Sequence, residues 1–451
     1  MSQTFKPFAY QLPMIDHLLD NDRAALFVSP GKGKTVVTLT ALDALATIGD
    51  FKAALIVAPL RVCSITWPAQ VERWAHTRWM RVAHLRTAAG LKAWHEGSAD
   101  IYLINSELLP NRLPLMFPKR KDFTCPVDTL VIDELSLAKN PQSKRFKALH
   151  KHLAAIERRW GLTGTPIPNN YLDLFMQVKM LDDGIRLGRT FTGYRDAYFY
   201  AADYMGYTYK LVTGSKEAID GKLADLALVM VGDPTDLPAS SVIDIPAVMP
   251  TEARRHYKTL EKEMLAEIAD GEITAPSAGV LVNKLLQLTS GAVYDADRNV
   301  LPVHTAKISA LRSVLDRHQG EPVLVLCAFK HESARVLDAI RGARMFDERN
   351  LDDWKAGKIP VWVADPRSLS HGIDGLQVSC RIAIWVSLTY SHETYVQTNA
   401  RLIRTGQTAE TLIYRLICAG TIDDAVAEAL REKSDTQSGM LHAVRALQRM
   451  N

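Results

Sequence analysis

"AALFVSPGKGKTVVTLT", residues 24–40, is the stretch on which the fold turns. A short apolar run ends in a turn rich in glycine, and a helix-like stretch follows. Gly31 and Gly33 let successive backbone N–H groups converge on phosphate oxygens. A helix beginning near Lys34 adds its positive amino-terminal end. Lys34 is placed to reach the β- and γ-phosphates of ATP, and the Thr35 hydroxyl to ligate Mg²⁺. The usual pattern of such a loop has glycine where this chain has Val28. A surface turn that happens to hold lysines is therefore the competing reading. Lys32 reads as a solvated lysine with no catalytic role.

The same strand-like signal recurs outward from this stretch. Short apolar runs bounded by Gly, Pro, Asp or Ser read as buried parallel strands when helical stretches separate them. Residues 24–30, 53–59, 101–106, 129–134 and 159–166 form a first set, and 322–328, 360–366, 381–387 and 411–417 a second. Between the sets, 251–273 and 277–294 have helical periodicity with few strand signals, after the turn-rich "GDPTDLPASS" at 232–241. The expected fold is α/β: two open parallel-sheet lobes, 1–237 and 303–451, joined by a helical connector at 238–302. In such sheets ligands sit at the carboxyl ends of the strands.

Composition agrees with this class. Of 451 residues, 47% are hydrophobic and 23% charged, which is globular rather than disordered or fibrous. A formal charge of +4 permits nucleic-acid binding without demanding it. Cys63, Cys125, Cys327, Cys380 and Cys418 form no CxxC pair, which argues for reduced thiols in the cytoplasm rather than zinc or a disulfide framework. No window approaches about 18 uncharged apolar residues, so no membrane span is expected. The opening residues lack the pattern of a signal peptide.

A second motif sharpens the first. "TLVIDELSLAKN" (129–140) sets Asp133 and Glu134 directly after an apolar strand. An Asp there can hold Mg²⁺ opposite Thr35, and its neighbouring Glu can orient or deprotonate an attacking water. An acidic pair at a strand end is often only a helix cap. Following a phosphate loop across several βα units, it points to hydrolysis of a nucleoside triphosphate.

Taken in order, the motifs resemble those of the Swi/Snf-like DNA translocases, ATPases of helicase superfamily two, over nearly the whole chain. "FAYQLPMIDHLL" (8–19) resembles the glutamine motif, with Gln11 for adenine and Tyr10 or Phe8 for stacking. "LIVAPLRVCSITWPAQVERW" (55–74) resembles motif Ia, "VIDELSLAKN" (131–140) the Asp-Glu-Ala-His box, and "RWGLTGTPIPNN" (159–170) motif III. "QTNARLIRTGQ" (397–407) matches motif VI, with Gln397, Arg401, Arg404, Gly406 and Gln407 in register. The compact build is most similar to the short members from bacteriophages and prophages. Leu135-Ser136 replaces the usual Ala-His, so Ser136 would couple hydrolysis to motif III less tightly or by another hydrogen bond. The arginines usual before the connector are missing from "LALVMVGDPTDLP" (226–238).

The resemblance implies two RecA-like lobes with an ATP cleft between them. Gln11, Gly31, Gly33, Lys34, Thr35, Asp133 and Glu134 would come from the first lobe. The second would supply Gln397 and two arginine fingers, Arg401 and Arg404, spaced i,i+3 on one helix face. Gln407 would support the motif. The resemblance further implies a grip on double-stranded DNA that ignores sequence, because phosphates carry it. Its candidate contacts are Arg61, Ser106, Thr163, Asn169, Lys330, Ser370, His371 and Gly372, beside Asp374, where the family often has asparagine. Trp67 and Trp74 read as core residues on one helix face. Three functions stay open: a translocase on double-stranded DNA, a strand-separating or branch-migrating helicase, and an ATP-switched clamp with slow turnover. Phage or host replication and recombination proteins are candidate partners, and a monomer is the default.

Overall fold

The computed structural model describes residues 3–119, 122–164, 171–202, 209–230, 238–269, 275–295, 297–369, 373, 375–404 and 406–431. The chain forms two units, Met1–Asp233 and Pro234–Asn451.

The first unit is built on β1 (Arg23–Val28), β2 (Ala54–Ala58), β3 (Val82–His84), β4 (Ile101–Asn105), β5 (Thr129–Asp133) and β6 (Arg158–Thr163). A small antiparallel hairpin, β7 (Phe199–Ala201) with β8 (Tyr209–Leu211), precedes the last strand, β9 (Ala227–Met230). The sheet order is β3-β4-β2-β5-β6-β1-β9, with every neighbouring pair parallel. Side chains alternate between two cores. Ala25, Phe27, Leu55 and Val57 enter one, while Ala24, Leu26, Ala54 and Ile56 enter the other. Burial on both faces is why these strands read as unbroken apolar runs.

The second unit contains β10 (Ser240–Pro246), the antiparallel pair β11 (Ala292–Tyr294) and β12 (Val300–Pro302), then β13 (Val323–Leu326), β14 (Ala343–Met345), β15 (Val361–Ala364), β16 (Ile382–Trp385) and β17 (Thr411–Ile417). Its main sheet runs β10-β17-β16-β13-β15-β14, again all parallel. Both units are thus RecA-like α/β lobes.

The segment expected as a helical connector, 238–302, opens with β10. This strand lies along β17 from Ser240↔Thr411 to Pro246↔Ile417. It is an edge strand, and only Ile245 is buried, so no apolar run announces it. An ion pair clips it to its neighbour, with Arg415 Nη2 donating to Asp244 Oδ2 at 2.7 Å. The helices Thr251–Ala269 and Ala275–Thr289 follow, and their Tyr257, Leu281 and Leu285 share one core with Leu324, Val325 and Trp385. A fully buried ion pair, Lys307 Nζ to Asp423 Oδ2 at 2.8 Å, lies in the same unit. Asp423 also accepts from the Thr289 hydroxyl at 2.9 Å and the Cys418 N–H at 2.9 Å. Among the described residues, no helix is long and apolar enough to cross a membrane.

Candidate active site

Strand register builds the site. Phe27 stands level with Thr163, and Asp133 with Leu162. The carboxyl ends of β1, β5 and β6 therefore meet at one edge, with the glycine turn, the acidic pair and Thr163 side by side.

The turn after β1 needs its glycines. Gly31 (φ 83°) and Gly33 (φ 78°) are left-handed, and Gly33 caps the helix Lys34–Thr47, which carries Thr35 in its first turn. A Cβ at position 33 would stand 2.5 Å from Gln11 Nε2. That amide is buried and donates to the Lys32 carbonyl at 3.0 Å, while Gln11 Oε1 accepts the Phe8 N–H at 3.0 Å. The segment around Gln11 is so fastened to the loop. Lys34 Nζ donates to the Val28 carbonyl at 2.7 Å and the Ser29 carbonyl at 3.3 Å. Val28 fits where glycine was expected because its side chain is buried in the core and its backbone carbonyl receives the lysine. Lys32, expected in solvent, is only 5% exposed. Its ammonium lies 5.7 Å from the centre of the Tyr10 ring, which stacks on Phe8 at 5.5 Å. Local sequence could not show this, because the aromatic segment comes from well upstream.

The acidic pair is enclosed. Trp67 Nε1 donates to Asp133 Oδ2 at 2.8 Å. Burial raises the Asp133 pKa against the Trp67 hydrogen bond and the Lys34 charge. Burial raises that of Glu134 as well, opposed by the Ser136 hydrogen bond and Lys34. Glu134 has φ 75°, a region non-glycine residues rarely adopt. Its Oε1 accepts two hydroxyls, Ser136 Oγ at 2.7 Å and Thr163 Oγ1 at 3.1 Å. The departure at Leu135 is accommodated by Gly161, where a Cβ would lie 2.6 Å from Leu135 Cδ2.

The remaining expected residues fall in varied places. Thr163 and Ser106, expected to face nucleic acid, are both buried. Thr163 turns to Glu134, and the Ser106 hydroxyl donates to Glu107 Oε1 at 3.1 Å. Arg61 is half-buried and precedes a π-helical turn, Val62–Thr66. In the second unit, Lys330 is exposed at the start of the helix Lys330–Ala339. The helix His392–Asn399 stops short of Arg401 and Arg404, so these do not share a helical face. They converge instead on one carbonyl, that of Ile373, at 3.2 and 3.4 Å. Arg401 Nε also donates to the Leu369 carbonyl at 2.9 Å. Gln397 is buried and donates to Glu393 Oε1 at 3.2 Å, and Gln407 to the Cys380 carbonyl at 2.9 Å. Asn169, Ser370, His371, Gly372 and Asp374 lie outside the described residues. Trp67 is a core residue as expected, but the sequence signal missed its bond to Asp133. Trp74 is only half-buried at the end of the same helix.

The first unit's donor set fits a nucleotide phosphate chain with a divalent cation. It offers a left-handed glycine turn, a lysine on that turn, a helix-start hydroxyl and a carboxylate two strands away.

A family model described as SNF2-related domain matches residues 14–191. The "putative protein p41" of Acyrthosiphon pisum secondary endosymbiont phage 1 is 33% identical over 465 residues, covering 98% of this chain and 99% of that protein. Among solved structures, the Sulfolobus solfataricus SWI2/SNF2 ATPase core in complex with dsDNA is 18% identical, covers 99% of both chains and has a TM-score of 0.46. The S. solfataricus SWI2/SNF2 ATPase core domain is 18% identical with a TM-score of 0.43, covering 100% of this chain and 96% of that one. The chain belongs to the SNF2-related family, with a phage protein matched over nearly its whole length among its relatives.

Proposed function

We propose that this chain is an ATP-dependent translocase that moves along double-stranded DNA without sequence preference. The observation that carries the reading is the shared Glu134 oxygen. Ser136 and Thr163 both donate to it, which ties the proposed base of hydrolysis to the end of β6. A hydrolytic centre joined to motif III can pass strain to the segment that follows.

The roles follow from chemistry. Glu134 orients and deprotonates the attacking water. Lys34 leaves the Val28 carbonyl for the β- and γ-phosphates, and the Gly31 and Gly33 turn cradles them. Gln11 holds the adenine edge. Thr35 and Asp133 would hold Mg²⁺, which when bound neutralises charge on the phosphate oxygens. Arg401 and Arg404 serve as arginine fingers, and Gln397 steadies them. ATP binding by both units and release after hydrolysis then become a population shift between two states. Arg61 and Lys330 are proposed as DNA-backbone contacts, together with Asn169, Ser370, His371 and Gly372. Thr163 acts through Glu134, and Ser106 through Glu107.

The test is steady-state ATP hydrolysis without DNA, with single-stranded DNA and with double-stranded DNA, for wild type and Lys34→Ala. Strong stimulation by duplex, lost in Lys34→Ala, is expected, together with displacement of a DNA triplex but not of a paired strand. Nucleotide binding with equally slow turnover on every DNA would favour the clamp. Strand displacement would favour the helicase.

A further inference from the structure

We infer that Trp67 is a positioning residue for Asp133, setting the orientation in which that carboxylate meets the metal. The inference rests on the proposed role of Asp133.

Trp67 is fully buried, and its indole N–H is 2.8 Å from Asp133 Oδ2. An indole is a donor only, so its single N–H fixes which carboxylate oxygen it holds. Bonds to a charged acceptor inside a protein are among the stronger ones. Ordinary packing does not require this contact, because a phenylalanine could fill much of the same space. The contact also spans two elements. Trp67 opens the helix Trp67–Arg73, which continues directly from the π-helical turn Val62–Thr66 after β2, while Asp133 ends β5. π-Helical turns inside helices recur at functional sites. Here the turn leads directly into Trp67, whose indole reaches the end of β5, the strand paired with β2. Glu134 is held by two hydroxyls and Asp133 by an indole, so each member of the acidic pair has its own brace. Partners that orient a metal's ligands are worth about 10–100-fold in metal affinity or activity when removed.

The test uses the full chain with ¹⁵N-labelled tryptophan. In wild type, one indole N–H resonance should move in Asp133→Asn, and the same resonance should move when Mg²⁺ is added with a slowly hydrolysed ATP analogue. Trp67→Phe should abolish that resonance. It should also raise the Mg²⁺ concentration for half-maximal binding of a fluorescent ATP analogue by about 10–100-fold. Analogue affinity without Mg²⁺ should stay within about twofold, a split that general loss of packing would not give. The inference is overturned if a folded Trp67→Phe shows wild-type Mg²⁺ dependence. Should Trp67→Phe not fold, the wild-type spectra decide: an indole resonance sensitive to Asp133→Asn but unmoved by Mg²⁺ with the analogue also overturns it. Failure of the parent reading looks different, because then wild type binds no nucleotide at all.

Discussion

Gly33 concentrates the demands made on single residues in this chain. Its φ of 78° lies where an L side chain is strained, and its missing Cβ leaves the gap that Gln11 Nε2 occupies. Gly33→Ala meets both obstacles together. The left-handed backbone alone costs about 1–2 kcal/mol. We expect a lower melting temperature and a loss of nucleotide affinity of about tenfold or more, taking about 1.4 kcal/mol per decade. Differential scanning fluorimetry and titration with a fluorescent ATP analogue measure both. Val28 is the opposite case, since its side chain is buried in the core and its carbonyl accepts from Lys34. Residue types in order made the loop legible. The burial of Lys32 and the link from Trp67 to Asp133 were not legible, because each partner lies far along the chain.

Two buried histidines of the second unit predict an acid sensitivity. His331, near the start of the helix Lys330–Ala339, is buried and stacks on Phe329 at 5.5 Å. His304 is buried beyond β12, with its Nδ1 accepting the Ala306 N–H at 3.2 Å. Burial lowers the pKa of each to about 4, reinforced by the charge of Arg335. The unfolded histidine titrates near 6.5. Between these values the unfolded chain binds more protons, so stability falls as pH drops from about 6.5 toward 4. His331→Phe should lose less melting temperature between pH 7.5 and pH 5 than wild type does; equal losses would mean His331 is not involved. The strands of this unit were legible where they are central. Edge strands such as β10 and β14 were not, because partial exposure removes the unbroken apolar run.

At the scale of the whole molecule, the proposed cycle needs both units, since the phosphate loop and the arginines belong to different ones. Arg401→Ala or Arg404→Ala should lower the DNA-stimulated turnover number by about 10³-fold or more if these are arginine fingers. Nucleotide and DNA binding should change far less. A drop in binding that matches the drop in turnover would mean they hold the carbonyls of Leu369 and Ile373 rather than the transition state. What the sequence by itself determined is what short-range patterns can encode: two sets of doubly buried parallel strands, a glycine-rich turn between strand and helix, an acidic pair at a strand end and the order of motifs. Only the tertiary structure decided what depends on partners distant in the chain. Register brought Thr163 to Glu134, the Phe8–Gln11 segment covered Lys32, and Trp67 reached Asp133. Apolar periodicity follows from which face is buried, which each strand carries in its own residues. A hydrogen-bond partner is chosen by which strand ends are neighbours, and no single stretch contains that information.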